Sequence, residues 1–287
     1  MNRIEAAFAN KPIFMPYFPL GYPDLPTSID VIEALAKNGA DLIEVGLSFS
    51  DPLADGSVIQ QATQVALEKG ITVKKSLEAV RELRKRGVEI PLILMGYYNP
   101  MLAYGLEKFV QDACNAGADG FIIPDLPMEE SEEFISALSS VDTAPVGRRR
   151  GAQIANNAHP ATPLRSARDG GLPLIRMLAP TSSPDRMERI ARNAKGFIYL
   201  VSVTGITGER KSLADGLGDL IALVREHTSA PVCVGFGIGT PEQAKEVGEM
   251  ADGVIVGTAC VRTIGGSQTP VETARIFAKS FAGALRE

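Results

Sequence analysis

Eight short runs of branched apolar residues recur along the chain, separated by longer segments whose apolar positions return every three or four residues. The short runs are apolar almost throughout, which is typical of strands covered on both faces. The longer segments begin near Ser or Pro and end near Gly or Asn, which predicts capped helices. The predicted strands span residues 13–18, 41–46, 91–97, 120–125, 173–179, 196–202, 231–237 and 252–258.

A weak internal repeat favours one closed sheet. NGADLIEVG, NAGADGFIIPD and EMADGVIVG each end a helix, pass through an Ala-Asp pair and enter a strand. Repetition of one βα unit produces such similarity, and eight units in about 250 residues is the usual size of a (β/α)8 barrel. We therefore expect an α/β fold, a single (β/α)8 TIM barrel over residues 1–287. A doubly wound open sheet is less favoured, because no G-x-G-x-x-G follows the first strand.

Residues 141–171 interrupt the alternation of predicted strands and helices. The segment is rich in Pro, Ala, Arg and Asn, and it carries five Arg against two Asp without an apolar period. Both neighbouring elements have clear patterns, so we expect a loop insertion. A tolerated surface excursion is favoured over an arm for a nucleic acid or partner. Because it joins a helix to the following strand, it is predicted to lie at the barrel end opposite the chemistry.

Composition and charge add few constraints. The 287 residues are 45% hydrophobic and 22% charged, with a net charge of −5, which is ordinary for a globular domain and argues weakly against nucleic-acid binding. Every apolar run is shorter than the ~18 residues of a membrane span, and the N-terminus has no secretory pattern. Cys114, Cys233 and Cys260 lack the spacing of a disulfide framework or zinc site. We expect a cytoplasmic protein.

An acidic residue interrupts the second predicted strand. Leu42 and Gly46 share the face of Glu44, whereas Ile43 and Val45 share the other. The branched face suits a helix layer, so Glu44 is predicted to point into the barrel near its top, where working groups of this fold lie. A carboxyl in an apolar pocket has a pKa raised toward the range useful for proton transfer. A structural Glu held by an Arg or Lys is the alternative.

Turn-rich and glycine-rich loops follow several strands. SFSDPLADG comes directly after the second strand, and its Asp51 and Asp55 are either turn residues or acceptors for a substrate donor. VTGITGER, GFGIGTPEQ and VGTACVR follow strands six to eight. Backbone N–H groups at such turns and at a helix N-terminus can bind an anion, and the last two loops often hold phosphate in this fold. Simple turn formation is the alternative for any one of them.

The sequence contains no recognisable metal-ligand constellation. His159 lies in the insertion and His227 late in a predicted helix, so neither is at a strand end. Acid–base chemistry therefore falls to carboxylates, with Tyr97 or Tyr199 as further candidates.

Several sequence blocks resemble those of the tryptophan synthase α-subunit family. The most specific is IEVGLSFSDPLADGSVIQ, and the others follow in the family's order: MPYFPLGYPD, MGYYNP, IPDLPMEES, LAPTSS, YLVSVTGITGER, GFGIGTPEQ and GVIVGTACV. The resemblance covers the chain outside residues 141–171. It implies a lyase of tryptophan biosynthesis that cleaves indole-3-glycerol phosphate by a retro-aldol reaction to indole and glyceraldehyde 3-phosphate, without a metal or organic cofactor.

The resemblance also implies roles for individual residues. Glu44 would move a proton between indole C3 and the glycerol hydroxyl, Asp55 would accept the indole N–H, and Tyr199 would orient the catalytic carboxylate. The phosphate would bind at Gly208, Gly237, Gly257 and Thr258, and the indole pocket with its closing loop would include Tyr17, Leu94, Thr207 and Phe236.

A partner is implied as well. It would be a β subunit carrying pyridoxal phosphate, joined in an α2β2 heterotetramer and receiving indole through a tunnel, with the Asp55 loop and the loop after strand six near the interface. Neither nucleic acid nor a membrane is expected. Two alternatives stay open: a free-standing indole-3-glycerol-phosphate lyase, and a non-catalytic barrel kept as a binding or regulatory subunit. The presence of both Glu44 and Asp55 disfavours the second.

Overall fold

The protein forms a closed barrel of eight parallel strands in chain order, with the last strand paired to the first. The computed structural model describes residues 2–140, 171–201, 216–235 and 237–287, so the predicted insertion lies outside the described residues apart from Gly171. The barrel confirms the predicted fold class. The strands are β1 (Ile13–Pro19), β2 (Ile43–Gly46), β3 (Leu92–Met95), β4 (Gly120–Ile122), β5 (Leu174–Leu178), β6 (Ile198–Val201), β7 (Val232–Gly235) and β8 (Gly253–Val256).

Helices connect these strands and form the outer layer. Within the described ranges they are α1 (Arg3–Ala7), α2 (Leu25–Lys37), α3 (Ser57–Glu68), α4 (Val73–Lys85), α5 (Tyr98–Tyr104), α6 (Leu106–Ala116), α7 (Glu132–Ser140), α8 (Pro184–Arg192), α9 (Leu217–Arg225), α10 (Pro241–Gly248), α11 (Thr258–Gly265) and α12 (Pro270–Arg286).

The strands divide the buried apolar residues into two clusters. One face of each strand packs against the helices, as Val45 and Phe121 do. The other face fills the barrel interior, where Leu42, Ile93 and Ile122 belong to the inner cluster. This division follows from the two-residue period of a strand, and the resulting interior is a packed core, not a pore.

Helix α1 covers the N-terminal end of the barrel. Ile4 is 1% exposed and belongs to the inner cluster, and the rings of Phe8 and Phe197 lie 5.9 Å apart. The side chain of Asn2 caps the helix through the N–H of Glu5. The sequence pattern did not single out this short helix, whose few residues give too little periodicity.

The Ala-Asp repeat seen in the sequence corresponds to a hydrogen-bond clamp at this same end. Each Asp precedes a strand, and both its N–H and its carboxylate bond to one residue of the strand before it. Asp119 donates to the carbonyl of Leu92 at 2.9 Å and accepts the Leu92 N–H at 3.0 Å. The same pair of bonds joins Asp41 to Phe14 and Asp252 to Val232.

The Asp119 clamp also holds a buried charge. The guanidinium of Arg84 forms an ion pair with Asp119, and their side chains are 13% and 3% exposed. Arg84 also donates to the carbonyls of Gly117 and Val88 at 2.9 and 2.6 Å. The Arg286 partner of Asp41 is by contrast 58% exposed.

Removal of Asp119 should therefore destabilise the fold strongly. Asp119→Ala leaves the Arg84 charge buried without its partner, and we expect a loss of about 3–5 kcal/mol in the free energy of unfolding. Asp41→Ala is the matched control, because it breaks the corresponding clamp between Asp41 and Phe14 but leaves only an exposed Arg286 without its partner. We expect it to lower the free energy of unfolding by about 1–3 kcal/mol. Urea unfolding followed by far-UV circular dichroism measures both. Equal losses would show that the buried charge adds nothing.

Candidate active site

Glu44 lies in the middle of β2 with its side chain inside the barrel. It pairs with Tyr17 of β1 and Ile93 of β3, and Ile93 belongs to the inner cluster. Glu44 is 1% exposed, and its Oε1 has no hydrogen-bond partner among the described residues. Burial raises the pKa of this carboxyl to about 8. The side chain is therefore largely protonated at neutral pH, and no Arg or Lys of the described residues forms an ion pair with it.

Two buried phenols flank this carboxyl. Tyr17 and Tyr199 are each 4% exposed, and burial, followed by the nearby charges of Glu44 and Asp55, raises the pKa of both phenols well above the usual value. Glycines on the next strands make room for them, because a Cβ on Gly46 would overlap the Tyr17 oxygen and a Cβ on Gly235 would overlap that of Tyr199. Both tyrosines are thus neutral hydroxyls that can donate or accept a hydrogen bond.

Asp55 approaches the same space from the loop between β2 and α3. Burial raises the pKa of its carboxyl to about 6, and a hydrogen bond from the Tyr97 phenol acts in the opposite direction. Tyr97 also accepts the N–H of Ala54 at 2.9 Å. Asp51 in the same loop is exposed and accepts from Ser50 at 2.5 Å. At neutral pH Asp55 is largely ionised, whereas Glu44 is largely protonated.

The start of helix α11, directly after β8, presents backbone N–H groups beside this pocket. Among the described residues, no side chain caps α11, which begins at Thr258 after Gly257, so its first N–H groups are free to bind an anion. A Cβ on Gly257 would lie 3.8 Å from that of Tyr17, which joins this end to the pocket. Gly237 is exposed with a φ of 81°. Helix α10 differs, since Thr240 caps it through a box with Gln243.

The predicted pocket residue Leu94 requires a correction. Its two neighbours along the strand, Ile93 and Met95, pack in the inner cluster. Leu94 alternates with them and pairs with Val45 and Phe121, so its side chain points away from the barrel interior. The neighbouring Met95, which pairs with the inner-cluster residue Ile122, occupies the inward position. The prediction was wrong by one residue, which in a strand moves a side chain to the opposite face.

Three other predicted residues lie outside the described part of the chain: Thr207, Gly208 and Phe236. Within the described ranges, no group of three or more His, Cys, Asp and Glu is placed to hold a metal ion. No helix in those ranges is long and apolar enough to cross a membrane.

Comparison with known proteins identifies the family. The sequence model described as "Tryptophan synthase alpha chain" matches residues 4–147 and 157–285. The chain belongs to the tryptophan synthase alpha chain family. The tryptophan synthase alpha chain of Chloroflexus aggregans is 43% identical over 266 residues, covering 91% of this chain and 89% of the relative. That of Geobacter sulfurreducens is 40% identical over 292 residues, covering 100% and 98%.

Solved structures of the tryptophan synthase alpha chain family share the fold. The tryptophan synthase alpha chain of Legionella pneumophila superposes with a TM-score of 0.80 at 32% identity, covering 100% of this chain and 98% of the other. A Mycobacterium tuberculosis tryptophan synthase structure gives 0.80 at 31% identity, covering 100% and 99%. The chain is accordingly a lyase of tryptophan biosynthesis, which cleaves indole-3-glycerol phosphate to indole and glyceraldehyde 3-phosphate.

Neutralising Glu44 should stabilise the fold in a pH-dependent way. Its pKa is raised in the folded state from 4.5 to about 8, so the unfolded chain ionises first as pH rises, and folding loses stability between these values. Glu44→Gln avoids this loss. Relative to wild type, its free energy of unfolding should rise from pH 4.5 upward, by about 3 kcal/mol at pH 7.

Asp252→Asn is the control with the opposite sign. Burial raises the pKa of Asp252, but hydrogen bonds from Lys11 and Val232 and the ion pair with Arg225 outweigh it and keep this pKa below its ordinary value. The ionised form of Asp252 therefore stabilises the fold above that range. The variant should lose stability at neutral pH. Urea unfolding at several pH values measures both variants, and a pH-independent difference for Glu44→Gln would contradict the buried, unpaired state of that carboxyl.

Proposed function

We propose that Glu44 is the acid–base group of the cleavage and that Asp55 is the carboxylate that stabilises charge on the indole ring. The observation that carries this assignment is the presence of two carboxyls with different surroundings in one pocket. Glu44 is 1% exposed with an Oε1 that has no partner among the described residues, whereas Asp55 comes from a loop that is bonded to the Tyr97 phenol. Burial accordingly raises the pKa of Glu44 to about 8 and that of Asp55 to about 6. Groups whose environments push their pKa values apart divide acid and base roles. At neutral pH Glu44 holds a proton to give, and Asp55 holds a charge.

The proton movements balance within one turnover. The Glu44 carboxyl protonates indole C3, which places a positive charge on the ring and ionises Glu44. The carboxylate then removes the proton of the glycerol hydroxyl next to the scissile bond. The carbon–carbon bond breaks, its electron pair returns to the ring, the aldehyde forms, and Glu44 is protonated again. Asp55 accepts the ring N–H, and its charge stabilises the cationic intermediate more than the neutral substrate.

The remaining predicted residues have supporting positions in this proposal. Tyr199 orients the Glu44 carboxyl, and Tyr17 with Met95, in place of Leu94, provides walls for the indole ring. The phosphate binds to backbone donors at the start of α11 and in the loop after β7. We assign these donors to Gly237, Gly257 and Thr258. The roles that the resemblance implies for Gly208, Thr207 and Phe236, which lie outside the described residues, stay predictions. The uncapped start of α11 beside Tyr17 supports this orientation of substrate.

We further propose that the chain works without a cofactor of its own, in the cytoplasm, beside a β subunit that carries pyridoxal phosphate in an α2β2 heterotetramer. The match to the tryptophan synthase alpha chain family supports such a partner. The loop that holds Asp55 also carries Leu53, which is 91% exposed and which a partner on this side of the barrel would bury. Indole-release assays with and without a β subunit distinguish this assembly from a free-standing lyase.

Loss of the Glu44 proton should abolish turnover without abolishing binding. Glu44→Gln keeps the size of the side chain but cannot donate and recover a proton, so we expect kcat for indole release to fall by at least about 100-fold. The control is Glu68→Gln, an exposed carboxyl on α3 bonded to Gln64, which should behave as wild type. Retained turnover in Glu44→Gln would remove Glu44 from its role.

The pH dependence of kcat/KM should be bell-shaped. Activity needs Asp55 ionised and Glu44 protonated, so it should fall below pH 6 and above pH 8, following the pKa values of about 6 and about 8. Steady-state indole release across this range gives the profile. Asp55→Asn should lower kcat/KM and remove the acid limb from the activity that is left. A profile with no dependence near pH 8 would contradict the assignment of Glu44 as the proton donor.

A further inference from the structure

Tyr97 lies where the end of β3 meets the loop that carries Asp55. It is 4% exposed, it immediately precedes α5, and its ring packs against that of Phe49 with centroids 5.5 Å apart. Its phenol oxygen accepts the N–H of Ala54 at 2.9 Å. Tyr97, which follows β3, therefore contacts the loop between β2 and α3, next to the proposed ring-stabilising carboxylate of Asp55.

The bond to Ala54 determines what the Tyr97 hydrogen can do. A phenol has one hydrogen to donate, and when its oxygen accepts the Ala54 N–H that hydrogen is free for the adjacent Asp55 carboxylate. The interaction lowers the pKa of Asp55 against the effect of burial. Other described hydrogen bonds of residues 51–55 stay local, as from Leu53 to Asp51 at 3.0 Å, or reach α3.

The segment that bears Tyr97 is held from its other side. The next residue, Tyr98, is the first of α5, and its N–H donates to both carboxylate oxygens of Asp125 at 2.9 and 3.3 Å. Asp125 lies in the connection after β4. Hydrogen bonds thus run through Tyr97 and Tyr98 across three consecutive βα connections, and the phenol is fixed relative to the barrel rim.

We propose that Tyr97 is a positioning residue for Asp55: its phenol holds the 51–55 loop through Ala54 and orients the Asp55 carboxylate toward the indole N–H. This inference rests on the proposed role of Asp55. Tyr97 itself does not exchange a proton with the substrate. It fixes the distance and direction from the Asp55 carboxylate to the indole N–H. This matters because misplaced catalytic groups lose much of their effect.

The test is Tyr97→Phe, which keeps the aromatic packing on Phe49 and removes both hydrogen bonds. Loss of a hydrogen bond to a charged group should lower kcat/KM roughly 10- to 100-fold. The acid limb of the pH profile should shift to higher pH, because Asp55 loses the donor that favours its ionised form. The alkaline limb, due to Glu44, should stay at the same pH. NMR titration of the Asp55 carboxyl in the free enzyme should show the same upward movement without depending on turnover.

Tyr104→Phe is the matched control. It also removes a phenol bonded to a carboxylate, Asp112 at 2.8 Å, but at the far end of α5, and both the activity and the pH profile should stay as in wild type. A Tyr97→Phe enzyme with an unmoved acid limb and an unmoved Asp55 titration would overturn the inference, whatever its overall activity. Full activity of Asp55→Asn would instead overturn the proposed function, so the two failures are distinguishable.

Discussion

The site depends on the burial of one carboxyl, Glu44, whose Oε1 has no partner among the residues that the structure describes. Glu44 occupies a strand position inside a packed barrel, where an ionised carboxyl costs several kcal/mol. Burial keeps the group protonated, and in the proposed mechanism this proton is the one that Glu44 donates to carbon. The stabilising ion pairs and clamps of Asp41, Asp119 and Asp252 lie at the opposite end of the barrel. Stability and chemistry are thus separated along the barrel axis, as is usual for this fold.

Glu44 and Asp55 carry the same functional group, and their pKa values differ because their surroundings in the pocket differ. Glu44 is surrounded by strand residues and neutral phenols, so burial alone sets its proton affinity. Asp55 comes from a partly exposed loop and has a phenol donor, so it ionises more easily. Glycines at positions 46 and 235 matter for the same reason, because the space they leave lets Tyr17 and Tyr199 lie beside the acids. The surroundings of the two carboxyls therefore act mainly by excluding water and by placing tyrosine hydroxyls beside them, and less by pairing them with charged groups.

Much of this could be predicted from the sequence, and the misses have physical causes. Two-residue alternation correctly placed Glu44 inside the barrel and Val45 outside. For Leu94 the assignment came from resemblance alone, and the register of β3 against β2 shows Met95 as the inward residue. Predicted strands also ran past their true ends. The apolar run of β4 continues through Ile123 and Pro124, but the strand itself ends at Ile122. Asp125, predicted as its last residue, accepts the Tyr98 N–H from the preceding connection. No local sequence pattern marks the residue at which a strand ends and a loop begins.

The sequence by itself determined the barrel and the inward position of Glu44, because both depend on periodicity within a few adjacent residues. Its glycine-rich loops predict an anion-binding end from local backbone freedom, and that site stays a prediction. Only the tertiary structure decided that Oε1 of Glu44 has no partner among the described residues, that Asp119 encloses the charge of Arg84, and that the phenol of Tyr97 holds the Asp55 loop. These contacts join residues from different βα units. Proton affinity and orientation depend on distances across such contacts, and the order of residues along a chain does not specify those distances.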